Sequence, residues 1–470
     1  MLIEPIDASP ASLLSLAAGA PHDFPVFFDS AAEGPLAEWS LLAALPTATL
    51  RLRGDGRLEC RGIESAGGFL DTLDRAWRRE SLAAHARVPV PGAAGAVLDA
   101  DAVPPFRGGW VVFLGYEMAR ETEPGLRLPA PAADDTMALA WRVPALLAWD
   151  HRGQRAWLLA EEGGAARLAD LRLRVEGLRR AAADRERPRA PPPPMLLRLT
   201  EDEPARFLAA VRAARAYIAA GDIYQANLSR GWHGRVPQGF DGEPLYAALR
   251  RSNPAPFAAW LQAAELQLLS SSPERLVRTR GRRVETRPIA GTRPRLGDPE
   301  HAAGEIAALL GSAKERAEHT MLIDLERNDL GRVCEGGSVR VDEWMVTESY
   351  AHVHHIVSNV SGRLREDVTP VDVLRALFPG GTITGCPKYR CMQIIAELEG
   401  AARGPYTGSL GYINRDGDMD FSILIRTLSI EAGEIRLRAG AGIVADSDPE
   451  HELAETRAKA RGLLRALGAP

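Results

Sequence analysis

A proline-rich segment near the middle of the chain restricts the possible folds more than any other local feature. The stretch DRERPRAPPPP at 184–194 follows a charged helical pattern at about 164–184. Prolines have a fixed φ and no backbone N–H, so this stretch can form neither a helix nor a central strand. We therefore predict an N-terminal lobe at 1–183, a stiff polyproline linker at 184–196 and a C-terminal lobe at 197–470. A proline-rich recognition motif is the alternative interpretation of the segment.

Strand and helix patterns predict the fold class. In the N-terminal lobe, β-like runs occur at 25–28, 48–52 and 109–115. In the C-terminal lobe, strand patterns at 266–270, 282–286, 421–430 and 434–439 occur with helical patterns at 203–220 and 449–467. Because the strands cluster without the regular spacing of βαβ units, we predict an α+β fold with largely antiparallel sheets.

Composition excludes several classes of protein. A net charge of −5 argues against a general nucleic-acid binder and against a polybasic membrane anchor. Cys60, Cys334, Cys386 and Cys391 are too scattered for a disulfide framework and lack the spacing of a zinc site. The N-terminus lacks the features of a signal peptide, and no apolar run approaches the length of a membrane span. We expect a soluble, cytoplasmic protein that binds neither nucleic acid nor membrane.

Two glycine-rich stretches resemble nucleotide-binding motifs but depart from them. The stretch GGTITGCPK at 380–388 has Cys-Pro where a P-loop needs Lys followed by Ser or Thr. The stretch GAGIVA at 440–445 matches a dinucleotide fingerprint, yet only about 25 residues follow it, too few to complete a βαβ unit. Both stretches are interpreted as tight turns or as backbone contacts to a smaller anion.

Paired carboxylates and one histidine are candidates for chemistry. Glu315 and Glu318, like Glu452 and Glu455, are three residues apart, which places each pair on one helix face. Such pairs are usually solvated, but two of them together supply the hard oxygen ligands that Mg²⁺ prefers. His355 lies in a strand-like run and is a candidate general acid or base, because an unperturbed imidazole titrates near neutrality.

Several long motifs then identify a family resemblance over about 200–465. These motifs are GDIYQANL at 221–228, SPER at 272–275, RPIAGT at 287–292, RAEH at 316–319, DLERNDLGR at 324–332, GTITGCPK at 381–388 and AGIVAD at 441–446. The chain resembles the chorismate-utilising enzymes, specifically component I of anthranilate synthase and of aminodeoxychorismate synthase. The resemblance implies an anthranilate-synthase-like composite fold, in which antiparallel sheets pack as a sandwich flanked by helices.

The resemblance also implies roles for individual residues. Mg²⁺ is expected at Glu318 and Glu455, with Glu315 and Glu452 acting through water. The carboxylates of chorismate are expected to meet Tyr406, Arg426, Lys459 and the backbone amides of Gly440 and Gly442. Glu274 is expected to be the acid that helps the 4-hydroxyl leave, and Thr382 and His355 are expected near the reacting ring carbon.

Gln225 indicates the nucleophile. Water-using relatives, the isochorismate and salicylate synthases, have a lysine at this position that deprotonates water. A glutamine side chain has no accessible basic pKa and cannot do so, whereas neutral ammonia needs no such base. Gln225 therefore favours an enzyme that transfers an amino group.

The choice between the two ammonia-using enzymes depends on conflicting features. Aminodeoxychorismate synthases often have a lysine where this chain has Ala290, and anthranilate synthases have alanine there. The stretches NPAPF at 253–257, LERND at 325–329 and VHHIVS at 353–358 are more similar to aminodeoxychorismate synthase. The feedback motif Leu-Leu-Glu-Ser of anthranilate synthases occurs here only as FFDS at 27–30. We favour aminodeoxychorismate synthase, with anthranilate synthase as the alternative and a catalytically inactive binding subunit as a third hypothesis.

The resemblance implies partners as well. None of the four cysteines has the context of a glutaminase nucleophile, so ammonia is expected from a separate glutaminase subunit, component II. An aminodeoxychorismate lyase would act downstream, towards 4-aminobenzoate and folate. Ser30, Pro256 and Phe257 are candidates for a tryptophan pocket.

Overall fold

The fold is described from a computed structural model of the chain. It covers residues 1–82 except 33, 35 and 37, and residues 103–183, 199–294, 304–307, 311–349 and 353–468. Of residues 292–294, 313–314 and 353, only the backbone is described. The predicted linker at 184–196 lies outside the described residues.

Several helices begin at conventional capping side chains. The pattern at 203–220 forms a helix at Pro204–Ala219, with proline in its first turn. The pattern at 449–467 forms Pro449–Ala466, where the Asp448 side chain caps the N-terminus by accepting from His451 N. The helices are α1 Pro10–Gly19, α2 Phe69–Glu80, α3 Ala119–Thr122, α4 Ala165–Ala183, α5 Pro204–Ala219, α6 Gly242–Ser252, α7 Ala313–Gly331, α8 Pro370–Leu377, α9 Lys388–Glu399 and α10 Pro449–Ala466. Short 3₁₀ turns occupy Tyr116–Met118 and Gly381–Ile383. In the described part of the chain, no helix is both long and apolar enough to cross a membrane.

The strands form two antiparallel sheets. Their bounds are β1 Leu2–Ile6, β2 Val26–Asp29, β3 Trp39–Ala44, β4 Ala48–Arg53, β5 Leu58–Arg61, β6 Gly109–Leu114, β7 Thr136–Val143, β8 Ala145–Asp150, β9 Arg155–Ala160, β10 Thr200–Glu201, β11 Gln225–Arg235, β12 Phe257–Gln262, β13 Leu266–Ser272, β14 Arg275–Arg280, β15 Arg283–Thr286, β16 Ile289–Pro294, β17 Arg340–Ser349, β18 Val353–Arg363, β19 Gly385–Cys386, β20 Ser409–Asn414, β21 Met419–Ile423, β22 Thr427–Glu431 and β23 Glu434–Ile443. Sheet A has the order β1-β9-β8-β3-β2-β12-β13-β22-β23-β11-β10, with β19 beside β11. Sheet B has the order β16-β18-β15-β14-β21-β20-β6-β7-β4-β5, with β17 beside β18.

The two sheets pack face to face, and helices cover their outer faces. Along β6, Val111 and Phe113 belong to the apolar cluster between the sheets, while Trp110 and Val112 belong to the cluster under the outer helices. The alternation follows from the two-residue period of a strand, which points successive side chains to opposite faces. The predicted α+β sandwich with antiparallel sheets is confirmed.

Strands from both sides of the predicted linker share both sheets. In sheet A, β2 from the N-terminal part pairs with β12, and in sheet B β6 pairs with β20. The two parts of the sequence therefore complete each other's sheets, since each of these strands has one of its two hydrogen-bonding partners on the other side of the linker.

One local prediction was wrong, and one of two alternatives for another stretch does not hold. The pattern at 421–430 does not form one strand: β21 ends at Ile423 in sheet B, and β22 begins at Thr427 in sheet A. Between them Arg426 adopts a positive φ of 51°, which turns the chain from one sheet to the other. For the stretch at 440–445, the tight-turn interpretation does not hold at Gly440 and Gly442, which lie within the extended strand β23, and backbone contact to an anion stays a prediction. The pattern at 421–430 does not reveal the change of sheet, because strand-like residues stand on both sides of Arg426.

Candidate active site

Glycines of β23 let polar side chains of β11 lie flat across the sheet. A Cβ atom on Gly442 would lie 2.7 Å from Gln225 Nε2. One on Gly440 would lie 2.6 Å from Asn227 Oδ1 and 2.7 Å from the Tyr406 hydroxyl oxygen. All three separations are shorter than van der Waals contact. A side chain is excluded at Gly440, where the Leu228 backbone carbonyl oxygen would also lie 2.7 Å from a Cβ atom, whereas a side chain at Gly442 would displace the Gln225 side chain. The strand pair therefore brings Gln225 and Tyr406, which were predicted site residues, to one surface.

Glu274 is a buried carboxyl group at the start of β14. Its side chain is 6% exposed, and burial raises its pKa to about 7, against smaller lowering effects of Thr382, the Ile289 backbone, Lys459 and Arg426. Oε1 of Glu274 and Oγ1 of Thr382 have no hydrogen-bond partner among the described atoms. Proximity of the Thr382 hydroxyl, rather than a hydrogen bond of standard geometry, accounts for its effect on the pKa. Glu274 is thus a proton donor near neutral pH, which suits the predicted role.

His355 and Ala290 lie on adjacent strands. In β18, His355 is opposite Thr292 of β16, and Ala290 of β16 is opposite Ile356. Burial, helped by the positive charge of Arg426, lowers the pKa of His355 to about 4. The imidazole is therefore neutral at pH 7, so it is suited to form hydrogen bonds as a neutral group, and its protonation is disfavoured. The reference pKa of a free imidazole, on which the prediction rested, does not apply at this site.

Two cationic side chains and one phenol surround the same surface. Lys459 Nζ donates to the Gly440 carbonyl oxygen at 3.1 Å and pairs with Glu455 at 2.7 Å. Burial lowers the pKa of Arg426 while Glu274 opposes the effect, and burial raises the pKa of Tyr406 to about 12. The Tyr406 hydroxyl is consequently a hydrogen-bond donor at neutral pH, and the guanidinium and ammonium groups are available to bind an anion.

The glutamates predicted to hold Mg²⁺ lie on two helices. Glu315 and Glu318 are in α7, and Glu452 and Glu455 are in α10, as their spacing predicts. Within the described residues, no three carboxylate, imidazole or thiolate groups lie close enough together to hold a metal ion. Glu452 is buried in the first turn of α10, while Glu455 is paired with Lys459. Four carboxylates are a suitable donor set for Mg²⁺, and their assembly into one site remains a prediction.

The predicted tryptophan-pocket residues are brought together from distant parts of the sequence. The Ser30 hydroxyl donates to the Trp39 carbonyl oxygen at 2.8 Å and lies 3.4 Å from the Pro256 carbonyl oxygen. The Arg275 guanidinium lies 4.8 Å from the centre of the Phe257 ring. This group lies where β2 meets β12, and nothing in it identifies a ligand.

A comparison with protein families decides the relationship of the chain to known proteins. The model of the family described as chorismate binding enzyme matches residues 53–465. The chain belongs to the chorismate-binding enzyme family. It is therefore an enzyme that uses chorismate, and the predicted resemblance is confirmed.

Relatives of this chorismate-binding enzyme have two different names. Aminodeoxychorismate synthase component 1 of Bacillus subtilis is 41% identical over 372 residues, covering 77% of this chain and 78% of that protein. Anthranilate synthase component 1 of Thermus thermophilus is 44% identical over 376 residues, covering 78% of each. The crystal structure of anthranilate synthase component I from Streptococcus pneumoniae superposes with a TM-score of 0.75 at 31% identity, covering 92% of this chain and 93% of that one. Similarity establishes the family, and the specific reaction depends on the chemistry of the site.

The prediction from sequence missed a buried network that supports the chorismate-binding enzyme's site. Arg403 donates to the carbonyl oxygens of Asn227 at 2.6 Å and of Ile383 at 3.1 Å, and its charge is balanced by Glu399 at 2.6 Å. Glu117, from the N-terminal part, accepts from the backbone N–H groups of Arg403 at 2.7 Å and Gly404 at 3.0 Å. No local pattern marks these residues, because the groups that they connect are far apart in sequence.

A second group that the prediction from sequence missed lies close to Glu274. Glu326 and Asp329 of α7 are buried, Lys388 pairs with the Asp329 carboxylate, and burial raises the pKa of Glu326. All three belong to the motifs at 324–332 and 381–388. Those motifs were therefore the available signal, but the burial of the acids was not visible in them.

Proposed function

We propose that this chain catalyses the Mg²⁺-dependent amination of chorismate to 4-amino-4-deoxychorismate. One observation supports the proposal most strongly. Glu274 is a buried carboxyl group with a pKa of about 7, close enough to Thr382 and Lys459 for both to affect that pKa. Thr382 and Lys459 in turn contact Asn227 and Gly440, on the surface that also presents Gln225 and Tyr406. A carboxylic acid that is protonated near neutral pH is suited to helping a hydroxyl group leave.

The proposed chemistry balances with ammonia as the only other reactant. The ammonia nitrogen forms a bond to the ring with its lone pair, and the C–O bond of the 4-hydroxyl breaks. Glu274 gives its proton to the departing oxygen, so that water leaves. The proton that the new ammonium group releases returns Glu274 to its acid form. Gln225 supports ammonia over water, because its amide cannot deprotonate water.

The substrate's two carboxylates would be bound by the cationic side of the surface. Arg426 and Lys459 provide the positive charge, and Tyr406 donates a hydrogen bond. Backbone amides of Gly440 and Gly442 would complete the contacts, since the absence of side chains on these glycines allows close approach. Thr382 and His355 would face the reacting carbon.

The glutamates of α7 and α10 would hold Mg²⁺. Glu318 and Glu455 would bind it directly, and Glu315 and Glu452 would bind it through water. When bound, Mg²⁺ would neutralise a ring carboxylate next to these acids. When Mg²⁺ binds, Glu455 would exchange its 2.7 Å contact with Lys459 for the metal ion. The Lys459 ammonium group would then be free to bind the substrate.

The preference for aminodeoxychorismate rests on the sequence stretches at 253–257, 325–329 and 353–358, and on the relative from Bacillus subtilis. Ala290 has no nucleophile, which excludes a covalent lysine adduct at this position. The alternative, component I of anthranilate synthase, is supported by Ala290 itself and by the relatives that carry that name. In either enzyme, ammonia would come from a separate glutaminase subunit.

The test incubates the purified chain with chorismate, Mg²⁺ and ammonium, and identifies products by mass and fluorescence. We expect a product that keeps its enolpyruvyl group and gives 4-aminobenzoate only after an aminodeoxychorismate lyase is added. Glutamine should replace ammonium only when a glutaminase subunit is also present. Anthranilate fluorescence without the lyase, at the rate of chorismate loss, would assign the alternative function. No turnover at all would indicate an inactive binding subunit.

A further inference from the structure

Two carboxamide side chains present oxygen atoms on one face of β11. Gln225 and Asn227 are two residues apart in the strand, so their side chains point to the same face. The intervening Ala226 and the following Leu228 are buried in apolar clusters on the other face. Oε1 of Gln225 and Oδ1 of Asn227 are buried, and neither has a hydrogen-bond partner within the described part of the chain. Buried acceptors without a donor are rare in folded proteins, and they often mark a site that a ligand completes.

The orientation of Asn227 is determined by its neighbours. Its Nδ2 donates to the Thr382 carbonyl oxygen at 3.3 Å. Its backbone N–H donates to the Thr384 carbonyl oxygen at 2.9 Å, and its backbone carbonyl accepts from Arg403 at 2.6 Å. Rotating the amide by 180° would place Oδ1 against the Thr382 carbonyl oxygen, which is repulsive. Oδ1 is therefore the atom that faces the site, beside Gly440 and the Tyr406 hydroxyl.

A pair of neutral acceptors selects a particular kind of ligand. Carboxylates and other anions offer only acceptors and gain nothing from two amide oxygens. Ammonia has three N–H donors and a single lone pair, so two hydrogen bonds to the amide oxygens leave the lone pair free to react. Water has only two donors, and using both would direct two lone pairs into the site. The chemistry of the pair therefore matches ammonia better than water.

On the basis of the proposed function, we propose that Gln225 Oε1 and Asn227 Oδ1 form the ammonia-binding site of this enzyme. Asn227 is then a residue that binds the nucleophile, in addition to its contact with Thr382. The two oxygens hold the nitrogen and direct its lone pair towards the ring of the bound substrate.

The test compares two substitutions of Asn227 that separate its oxygen from its nitrogen. Asn227→Leu removes both polar atoms at nearly constant volume. Asn227→Asp keeps an acceptor oxygen towards the site but replaces the donor to Thr382 by a second oxygen, so the contact with the Thr382 carbonyl oxygen is lost and becomes repulsive. The control is Asn359→Leu, which removes another buried carboxamide. Asn359 lies in β18, and its Nδ2 donates to Asp342 Oδ2 at 3.4 Å. Initial rates of chorismate loss are measured against free ammonia at saturating chorismate and Mg²⁺, and against chorismate at saturating ammonia, after thermal unfolding has shown that each variant is folded.

We expect Asn227→Leu to raise the KM for ammonia about three- to tenfold, as loss of one hydrogen bond predicts, with the KM for chorismate changed less than about twofold. Asn227→Asp should keep the KM for ammonia within about twofold of the parent enzyme, and Asn359→Leu should leave both KM values unchanged. Equal losses in the Leu and Asp variants would show that the contact with Thr382 is what matters, and would overturn the proposal. An unchanged KM for ammonia in a folded Leu variant would overturn it too. If the parent enzyme forms either aminated product, this comparison decides the proposal; if it forms none, the proposed function fails and the ammonia site fails with it.

Discussion

Burial, more than residue type, sets the charges of the individual groups in this site. Glu274 has its pKa raised to about 7 and His355 has its pKa lowered to about 4, in both cases chiefly because burial disfavours the charged form. At pH values between these two pKa values, at least half of the Glu274 carboxyl group and at least half of the His355 imidazole are uncharged. Arg426 and Lys459 are then the charges that a dianionic substrate meets, which favours its binding.

The pH dependence of kcat should follow Glu274. An acid must be protonated to act, so activity should fall as pH rises through about 7, the pKa of this carboxyl group. Glu274→Gln should lower kcat by about 10²-fold or more and abolish this alkaline limb. Initial rates from about pH 5.5 to about pH 9 would measure both effects, since this range of about 3.5 units covers the width of the titration.

A matched control for this variant is Glu431→Gln. Glu431 is also a buried acid with a raised pKa, but it accepts from the backbone of Thr136 at 2.9 Å. Its substitution should change stability and leave the pH profile of kcat unchanged. If Glu274→Gln kept the alkaline limb, the limb would belong to another group.

At the scale of single elements, helix α10 contributes more than one kind of group to the site. Asp448 caps its N-terminus, Glu452 is buried in its first turn, and Glu455 and Lys459 form an ion pair one turn apart. In the proposed function, Glu455 and Lys459 would exchange this contact for contacts with a metal ion and a substrate carboxylate. The helix therefore links the two proposed binding events through a single exposed pair.

Removing the charge of a proposed ligand should weaken both Mg²⁺ dependence and turnover. Glu455→Gln and Glu318→Gln keep the size of the side chain, and each should lower turnover about 10²-fold or more. Titration of the rate with Mg²⁺ should require a higher concentration in each variant. Glu450→Gln, an exposed acid in the first turn of α10, is the control and should behave like the parent enzyme. Near-normal rates and Mg²⁺ dependence in both test variants would show that these acids are only surface charges of the helices and do not bind Mg²⁺.

At the scale of the whole molecule, the N-terminal part directly supports the proposed substrate-binding surface. Glu117 holds the backbone of Arg403 and Gly404, and the Tyr406 N–H in turn donates to the Arg403 carbonyl oxygen at 3.2 Å. The Arg403 guanidinium carbon also lies 4.8 Å from the centre of the Tyr116 ring. A shift in these contacts would therefore reach Tyr406.

Glu117→Gln should affect both stability and substrate binding. A glutamine can accept only one of the two backbone N–H groups, so we expect the free energy of unfolding to fall by about 1–3 kcal/mol. The KM for chorismate should rise while the KM for ammonia changes little, and denaturant titration with steady-state kinetics would measure these quantities.

Glu121→Gln is a control of matched chemistry. Glu121 likewise accepts from two backbone N–H groups, those of Phe69 and Leu70, each at 2.8 Å, but at the start of α2. It should lose stability with no change in either KM. Equal changes of KM in both variants would mean that a general loss of stability, and not the Tyr406 segment, is responsible.

Much of the chemistry was determined by the sequence alone. Glu274, His355, Thr382 and Tyr406 were proposed from motifs through the family resemblance, because a reaction demands particular groups at particular places in the chain, and their roles stay predictions. Helices such as Pro449–Ala466 were also predictable, since their capping residues and apolar period are local.

Other properties were decided only by the tertiary structure. The pattern at 421–430 could not reveal that the chain changes sheets at Arg426, because strand partners are not encoded locally. Strands from distant parts of the chain exclude water from Glu274 and His355 and so determine their pKa values. They also leave the Asn227 oxygen without a hydrogen-bond partner among the described residues. A sequence specifies which groups are present, whereas their charge and hydrogen bonding depend on what the fold packs around them.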